Sequence, residues 1–596
     1  TARPHPATCS PAGRACSPAV GRSSATTRSS WRRRALTLLA HTALLLALIA
    51  GLLLVGGFGF HARYLVAVAA PTFALLAAGA VAAGRVNRVS RGAAMAALAA
   101  SLTLFTYSLR AIHLTPAYRR DDARALSRYY AQTLAPGDAV IAPYGPDYAL
   151  MHYGVAPAQW IALDLGQVDL EEARDALDAR LGEAARVEVV SWDKTFGDRR
   201  GALNCLLEEN GRRAGAPFHV VGYGTQGYVV QPPLAVPPAQ PAAADFGPVQ
   251  LEAVAFTPAQ PADRARCVIL SWRLVEPVPV DLSAAVTALN PLGWEIARAD
   301  APLLRADFAP TSRWAAGTRA ESYAVIRLPA GAPPGAYPLR VRVYHTGAPS
   351  GLDLRIAGAP AGKDAALGQL VAGAPEGAPD PAADEALTPL GEPLGDGLTL
   401  DAYSAPAGPV QPGQTLRVTL RWRVESGAAA PALRLSGAGW QVERAGAAGA
   451  SGAGGLALDW REITVPADAP PGPAVLSVEW GGRRVTLAQI DVQEAERIFA
   501  APPFDAPLGV EVPGVGALAG FSLGADAAQV STRAPLPLTL VWQATHTPAT
   551  AYTVFTHLLD AEGRLIAGHD APPAGGARPT TGWLPGEYLV DAHALA

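Results

Sequence analysis

The chain has 596 residues, a formal net charge of −3 at pH 7, 60 glycines and 54 prolines, and it begins at Thr1 without a methionine, which indicates a fragment. One core seldom serves more than about 250–300 residues, so we expect several domains. The nearly neutral charge lacks the basic footprint of nucleic-acid binding, and we expect no nucleic-acid partner. Four cysteines, at positions 9, 16, 205 and 267, are too few and too scattered to predict a disulfide framework or a zinc site.

The N-terminal segment, residues 1–34, is rich in Ser, Arg, Pro and Ala and lacks an apolar period, which predicts a disordered basic stub. Arg32 to Arg34 directly precede an apolar run over residues 35–57. At about 1.5 Å per residue in a helix, this run covers a hydrocarbon core of roughly 30 Å. A signal peptide is the alternative, since positive charge before an apolar core is also its pattern. The length of the run and the lack of an A-x-A site favour a membrane span.

Two further apolar runs cover residues 64–84 and 93–109, so residues 35–113 are predicted to form an α-helical transmembrane segment of about three spans. Three arginines in the loop between these two runs mark that side as cytoplasmic under the positive-inside rule. Counting the spans places the loop from Phe58 to Arg63 outside, together with everything beyond Arg110. We therefore expect a multi-pass cell-membrane protein with extracytoplasmic C-terminal domains and with membrane lipid as one partner.

From Asp121 onward, short apolar strands alternate with amphipathic helices. This alternation predicts a small α/β domain over residues 114–234 with a mainly parallel sheet. The predicted helices cover residues 121–134, 169–181 and 198–213, and the predicted strands cover residues 139–142, 160–163, 187–192, 219–221 and 228–230.

Beyond Gln231 the helical signals stop, and alternating strands punctuated by proline predict immunoglobulin-like all-β sandwich repeats. One strand pattern occurs three times: C-V-I-L-S-W-R around Trp272, L-R-V-T-L-R-W-R around Trp422 and L-P-L-T-L-V-W-Q around Trp542. The three predicted sandwiches cover residues 235–357, 391–493 and 507–596.

The closing strands distinguish the three copies. The first copy closes with a strand that ends at Tyr344 and the second with one that ends at Trp480, whereas the third stops at Ala596 before any such strand. We expect the third sandwich to be truncated, with an exposed sheet edge. Two segments of linker composition, residues 358–390 and 494–506, are predicted to join the sandwiches.

A G-x-G-x-x-G sequence occurs at Gly222, Gly224 and Gly227. In a dinucleotide site it must follow a strand and open a helix, so that backbone amides meet the pyrophosphate. Here a β-like segment follows and Pro232-Pro233 prevents a helix, so a hairpin turn is the better interpretation. The sequence also contains no phosphate-loop, zincin or serine-hydrolase motif.

Two groups of polar side chains could take part in catalysis or metal binding. Asp121 and Asp122 could act as an acid/base pair, although acids at the start of a helix are more commonly explained by its positive dipole end. A second group could in principle bind a metal, although a solvent-facing turn between paired strands explains it better. Its members are His557, Asp560, His569 and Asp570. We therefore predict no cofactor and no metal ligand, and leave a divalent metal open.

The loop between the first two apolar runs carries His61, Arg63 and Tyr64 beside two phenylalanines. Arginine offers forked donors to phosphate, and an interfacial tyrosine combines apolar bulk with a hydroxyl. Interfacial anchoring alone also explains the tyrosine. These three residues are the candidate contacts to a donor phosphate or to lipid.

The segment H-A-R-Y-L-V-A-V-A-A-P, followed by an Ala/Leu-rich helix, resembles the late-helix segment of C-type membrane glycosyltransferases. These include the protein mannosyltransferase and aminoarabinose transferase relatives. The downstream D-D-A-R-A-L-S-R-Y-Y and P-G-D-A-V-I-A resemble the start of their soluble domain. The third sandwich, with P-T-T-G-W-L-P-G-E, looks like β-modules appended to some bacterial members. The transferase resemblance covers residues 35–234.

The resemblance implies transfer of a sugar from a polyprenyl-phosphate donor to a glycan or protein acceptor on the outer membrane face. The catalytic carboxylate of the family lies in the first outer loop of a bundle with many more spans. No acidic residue occupies the single short outer loop here. The chain is thus expected to be the C-terminal portion of a transferase, inactive alone, in which Arg63 contacts the donor phosphate and no residue is catalytic.

A non-enzymatic alternative remains open. The chain could be a membrane-anchored surface protein whose sandwiches bind glycans or protein partners. Trp314 and Trp583, in the related segments P-T-S-R-W and P-T-T-G-W, would then be the candidate stacking residues. Packing in the sandwich cores explains both tryptophans better.

Overall fold

The structure is a computed structural model. Apart from a few isolated positions before residue 88, it describes residues 88–114, 121–156, 159–164, 170–182, 185–192, 198–376, 387–406, 408–425, 431–446, 455–524 and 534–595. The chain divides into two compact units, Thr1–Arg120 and Asp121–Ala596.

The long continuous described stretch of the first unit is helix α1 (Arg88–Leu114), which contains the third predicted span. Its apolar stretch is rich in alanine and is interrupted by hydroxyl residues. The hydroxyls of Thr103 and Thr106 donate to carbonyls one turn earlier, at 2.9 and 2.8 Å. No helix among the described residues combines the length and the apolar character that a membrane crossing needs.

The predicted fold class with an α-helical transmembrane segment is therefore wrong. The described residues form mostly β-sandwiches, and the 93–109 run is an alanine-rich helix whose apolar residues were misread as a span. The other two predicted spans, residues 35–57 and 64–84, fall almost wholly outside the described residues.

The α/β domain opens the second unit. Its sheet has the order β2-β1-β3-β6-β4, and β5 also pairs with β6. Its helices are α2 (Ala123–Thr133), α3 (Tyr148–His152), α4 (Leu170–Asp178) and α5 (Ala202–Asn210). Its strands are β1 (Ala139–Ala142), β2 (Trp160–Ala162), β3 (Ala185–Trp192), β4 (Gly211–Arg213), β5 (Phe218–Val220) and β6 (Tyr223–Val230).

The sheet of this domain is mixed, not mainly parallel as predicted. Only β1 forms parallel pairs, with β2 and with β3. Strand β6 runs antiparallel to β3, β4 and β5. The connections explain the difference, because helix crossovers join β1 to β2 and β2 to β3, whereas β5 returns directly into β6 through the turn at Gly222.

The first β-sandwich module packs two sheets, with orders β13-β10-β8-β7-β15-β16 and β12-β11-β14-β17-β9. Its strands are β7 (Ala239–Asp245), β8 (Val249–Ala255), β9 (Ala259–Pro261), β10 (Arg266–Leu274), β11 (Ser283–Leu289), β12 (Glu295–Pro302), β13 (Arg319–Ile326), β14 (Gly335–Tyr344), β15 (Arg355–Ile356), β16 (Ala359–Pro360) and β17 (Asp364–Gly373).

The second module repeats this arrangement with sheets β18-β19-β21-β24 and β20-β26-β25-β22-β23. Its strands are β18 (Thr388–Gly395), β19 (Leu398–Ser404), β20 (Gly408–Val410), β21 (Thr415–Val424), β22 (Ala432–Gly437), β23 (Trp440–Arg444), β24 (Leu456–Thr464), β25 (Gly472–Trp480) and β26 (Arg483–Val492).

The third module has sheets β27-β28-β29-β32 and β30-β31 in the residues described up to Leu595. Its strands are β27 (Ala506–Val512), β28 (Gly516–Leu523), β29 (Leu536–Ala544), β30 (Val554–Leu559), β31 (Leu565–Ala571) and β32 (Tyr588–Leu595).

The strand order confirms the predicted immunoglobulin-like sandwich repeats. In the first two modules a short strand leaves the first sheet and pairs in parallel with the last strand of the second sheet, β9 with β17 and β20 with β26. The segment 358–390, predicted as a linker, contains β17, which pairs with β14. Some inward-facing positions of β17 hold alanine. The segment therefore lacks the clear alternation of large apolar and polar residues that predicts a strand.

The cores explain the sequence patterns of the repeated strands. Trp272 and Trp422 are fully buried, and Trp542 is 8% exposed. Strand β21 alternates because one face meets solvent. Strand β10 is buried at almost every position, because the sheet that contains it packs on both faces: Trp272 lies in the sandwich core, and Ile269 joins the core formed with α5.

A disulfide joins the α/β domain to the first module. It links Cys205 on α5 to Cys267 on β10, which are 62 residues apart in sequence. The number and spacing of the cysteines did not predict this pair. Leu203 and Leu206 of α5 share one buried cluster with Ile269.

Side-chain contacts also hold the modules to one another. The Trp294 indole N–H donates to Glu462 at 2.9 Å between the first and second modules. Between the second and third modules, the buried Glu587 carboxylate accepts from Arg497 at 2.8 Å and also pairs with Arg578. The described residues 121–595 therefore form connected domains with specific contacts at each junction.

Candidate functional site

The carboxyl ends of β1 and β3 define the candidate site. The polypeptide runs from β1 to β2, which lies on one side of β1 in the sheet, and then to β3, which lies on the other side. The direction of winding therefore reverses beside β1. In open α/β sheets, ligands bind outside the carboxyl ends of the strands at such a reversal. Five side chains meet at this edge, and we call them the edge cluster: Asp121, Tyr144, Asp147, Trp192 and Tyr223.

Backbone register brings the three aromatic rings together. Trp192 ends β3 and lies opposite Tyr223, the first residue of β6. Their rings stack at 6.3 Å between centroids with an interplanar angle of 21°. Tyr144, which follows β1, lies 5.8 Å from the Trp192 ring. The indole of Trp192 is thus in contact with both phenol rings.

Asp147 is the buried acid of the edge cluster, and it lies beside both phenols. It is 5% exposed, and one carboxylate oxygen caps α3 by accepting from the amides of Ala149 and Leu150, both at 3.0 Å. The other oxygen accepts the Tyr144 hydroxyl at 2.9 Å. Burial, reinforced by the negative charge of Asp147, raises the pKa of Tyr144 and of Tyr223 above the ordinary tyrosine value. Both phenols therefore stay protonated at neutral pH.

Asp121 supplies the exposed carboxylate of the edge cluster. Its Oδ2 accepts the indole N–H of Trp192 at 2.7 Å. Its Oδ1 lies against Gly222, where a Cβ atom would come within 2.1 Å of that oxygen. Gly222 also has φ +80°, so both the turn and the space for Asp121 require glycine.

A buried polar network supports the strands behind the edge cluster. The Tyr130 hydroxyl donates to Thr225 at 2.9 Å, and the Thr225 hydroxyl donates to Glu188 at 2.8 Å. Glu188 is fully buried on β3 and pairs with Arg186 at 3.0 Å. Burial raises the pKa of Tyr130. The network fixes α2 against β3 and β6, which carry Trp192 and Tyr223.

A cavity of about 580 Å³ opens at the opposite edge, around the start of β1. Its polar side chains already bond to backbone: Asp138 accepts the Ala135 amide at 2.8 Å, and Gln159 donates to the Ala135 carbonyl at 2.9 Å. Arg180 donates to the carbonyl of Trp160 at 3.0 Å. These contacts brace the loop before β1, so the edge cluster is the stronger candidate.

The predicted contacts to a donor phosphate or lipid are not placed. His61, Arg63 and Tyr64 lie outside the described residues, and their role stays a prediction. Of the two candidate acids, Asp122 caps α2, accepting the Ala125 amide at 2.9 Å, whereas Asp121 belongs to the edge cluster.

Most residues of the other predicted sites have structural roles. The G-x-G-x-x-G segment forms the β5–β6 turn and strand β6. Trp314 and Trp583 are 4% and 0% exposed, and their indoles donate to the carbonyls of Ala309 and Arg578, so neither presents a stacking face. His557 and Asp570 pair across β30 and β31 at 3.4 Å. Asp560 bonds Arg564 within the turn.

Sequence reasoning missed Tyr144, Asp147, Trp192 and Tyr223. One signal was available: Tyr144 follows a predicted strand of the α/β domain and Trp192 ends another, at the edge where ligands bind. Asp147 and Tyr223 had no signal, because helix α3 is only five residues long and β6 was read as beginning later.

Comparisons with known proteins do not identify the chain. No protein-family model matches it, and no curated protein matches it. Among solved structures, the ICAM-5 D1–D4 ectodomain fragment is similar at 14% identity, covering 66% of this chain and 91% of that chain, with a TM-score of 0.14. A TM-score this low carries no argument, so the sandwich assignment rests on the strand order given above. The resemblance to C-type glycosyltransferases gains no family match.

Proposed function

We propose that this protein is an extracytoplasmic binding protein whose edge cluster binds a sugar-like ligand. The observation that supports the proposal is the contact of Trp192 with Asp121 at the carboxyl edge of β1 and β3. An indole face offers apolar area to the C–H face of a sugar ring, and the adjacent carboxylate accepts its hydroxyls. The sandwich modules would hold the domain in a defined position.

Preorganisation of the edge cluster supports binding of a neutral polyol. The two phenols stay protonated, so they add no negative charge beside Trp192. Asp147 is occupied by α3 and Tyr144, which leaves Asp121 as the exposed carboxylate. Side chains already fixed by neighbours lose little entropy when a ligand binds.

The Cys205–Cys267 disulfide supports an extracytoplasmic location. Disulfides persist in oxidising compartments and are rare where thiols are kept reduced. The bond lies between two domains that also share a core. The extracytoplasmic placement of the C-terminal domains, expected from the sequence, is thus kept in the proposal.

Glycosyl transfer is not the function proposed. The loop that carries Arg63 lies outside the described residues, and the sequence offers no catalytic carboxylate there. Among the described residues between 121 and 595, no contact favours a polyprenyl-phosphate donor over a free glycan. The non-enzymatic alternative, with glycan as partner, accords better with the edge cluster.

A glycan array followed by calorimetric titration tests the proposal. The full chain is applied to the array, and the best saccharide is titrated into wild-type protein and into the Trp192→Ala and Asp121→Asn variants. Trp440→Ala is the matched control, because Trp440 is part-buried on β23 of the second module. We expect both edge-cluster variants to lose binding and the control to keep it. An array without a bound saccharide, or binding unchanged in Trp192→Ala, would refute the proposal.

A further inference from the structure

Three titratable side chains form a hydrogen-bonded chain inside the third module. His593 on β32 bonds through Nε2 to Asp591 Oδ2 at 2.9 Å. The Nδ1 of the same ring lies 2.9 Å from the Nδ1 of His569 on β31. Asp591 is fully buried, His593 is 4% exposed, and His569 is part-buried. These three hydrogen-bonded side chains therefore lead from the sandwich interior toward solvent.

Strand β32 places this acid–base pair at inward positions. Leu589, Asp591, His593 and Leu595 are buried, and the residues between them are exposed. Polar groups at inward positions are costly unless they are hydrogen-bonded. Besides His593, Asp591 accepts the Ala574 amide at 2.8 Å through Oδ1. The buried carboxylate is therefore satisfied at both oxygens.

The second module carries a related pair in the same register. Asp591 and His593 lie opposite Leu540 and Leu538 on β29. The equivalent positions, opposite Leu420 and Val418 on β21, hold Asp459 and Arg461, which pair with each other. The guanidinium of Arg461 has only donors, whereas an imidazole also has a lone pair. The third module thus replaces a purely structural cation with a group that can bind a metal.

The contact with Asp591 determines which nitrogen of His593 is free. An ionised carboxylate only accepts, so His593 Nε2 carries a proton, and in the neutral imidazole Nδ1 then carries the lone pair. The Nδ1 of His569 lies 2.9 Å from this nitrogen, and it also has a lone pair in the tautomer that carries its proton on Nε2. A carboxylate behind the far nitrogen of a histidine is the usual support of a metal-binding imidazole, because it fixes the tautomer and the ring orientation.

We propose that His569 and His593 bind one divalent transition-metal ion through their Nδ1 atoms, with Asp591 orienting His593. Metal–imidazole bonds of about 2.0–2.1 Å to two nitrogens 2.9 Å apart subtend an angle of about 90°. That angle fits adjacent positions of a tetragonal Cu²⁺ site, and Cu²⁺ binds nitrogen ligands most strongly in the divalent series.

Water completes the coordination. Among the described residues, no group of three or more His, Cys, Asp or Glu side chains could hold a metal ion. The Thr556 hydroxyl lies 3.5 Å from His593 Nδ1 and donates to the backbone carbonyl of His569, so it borders the site. The ion would join β31 to β32 and tie the two sheets of the third module together.

Copper titration of the full chain tests the site. CuCl₂ is added to the wild type and to His569→Gln, with calorimetry for affinity and electron paramagnetic resonance for nitrogen coupling. His557→Gln is the control, because His557 lies on β30 and pairs with Asp570. We expect the wild type and the control to show one site with two equatorial nitrogens, and His569→Gln to lose it.

The role of Asp591 in orienting His593 has a separate readout. Asp591→Asn should weaken copper affinity by about 10–100-fold while the two-nitrogen signal persists at higher copper. If Asp591→Asn unfolds the module because Asp591 is fully buried, His569→Gln still tests the copper site, since His569 is only part-buried. Copper affinity and nitrogen coupling unchanged in His569→Gln, with the fold intact by circular dichroism, would overturn the proposal.

Discussion

The carboxylate of Asp121 accepts the indole N–H of Trp192 at 2.7 Å, although 71 residues separate the two in sequence. Asp121 precedes the first helix of the domain, and Trp192 ends the third strand. Their contact fixes the tilt of the indole at the carboxyl edge. Because a charge-assisted hydrogen bond is stronger than a neutral one, this pair orders an otherwise exposed acid.

Substitution of Gly222 should disrupt this contact. In Gly222→Ala, the new Cβ would lie 2.1 Å from Asp121 Oδ1, so the carboxylate must move away from Trp192. We expect the Trp192 indole N–H resonance to shift and saccharide binding to weaken as in Asp121→Asn. Gly215→Ala is the control, because Gly215 has φ +79° but open space around it. Backbone strain at φ above zero costs roughly 1–2 kcal/mol in both variants, so a shift shared by the control would contradict the clash.

Removal of the disulfide should lower stability. Cys205 and Cys267 close a loop with a sequence separation of 62, and the chain-entropy model gives about 4 kcal/mol for a loop of this size. We expect the Cys205→Ser/Cys267→Ser double variant to unfold at lower denaturant concentration. A double variant at Cys9 and Cys16 should unfold as the wild type does. Equal effects of a reducing agent on both double variants would argue against the bond.

Trp583 should act as a core residue and not as a stacking residue. It is fully buried, and the centroid of its ring lies 6.3 Å from the ring centroid of Trp542. We expect Trp583→Ala to lower the free energy of unfolding of the third module by about 3–5 kcal/mol. Denaturant unfolding measures this loss, with Trp440→Ala as the part-buried comparison. Lost saccharide binding at unchanged stability would instead restore the stacking role.

Alkaline pH should destabilise the α/β domain through its buried tyrosines. Burial raises the pKa of Tyr130 and of Tyr144 in the folded state. The unfolded chain therefore releases these protons first, so the stabilisation is complete below about pH 10 and is lost as the pH rises above it. We expect Tyr144→Phe to reduce the fall in unfolding free energy between about pH 8 and 11. An identical slope in wild type and variant would contradict this assignment.

Local patterns predicted the sandwiches better than the site. Trp272, Trp422 and Trp542 mark equivalent strands, because each lies opposite a small or apolar residue of the neighbouring strand: Ala320, Ala457 and Leu589. Such period-two patterns are visible in the sequence. The alanine-rich run in α1 was wrongly predicted to span a membrane, because alanine is compatible with both a membrane span and an ordinary helix.

The edge cluster could not be assembled from the sequence. Its members come from four separate segments, and only the strand order 2-1-3 brings Tyr144 next to Trp192. The buried pair Asp591–His593 was missed for another reason, since no strand was predicted at the position of β32. The disulfide depended on packing of α5 against β10, which no spacing of cysteines encodes.

The disulfide between Cys205 and Cys267 has a mechanical consequence. If the ends of the segment 121–595 are pulled apart, tension passes through the covalent bridge from α5 directly into β10. Residues 206–266 then carry no load. That bypassed loop contains β6, with Tyr223 and its neighbour Gly222, so this wall of the edge cluster would keep its shape under a force that stretches the rest of the chain.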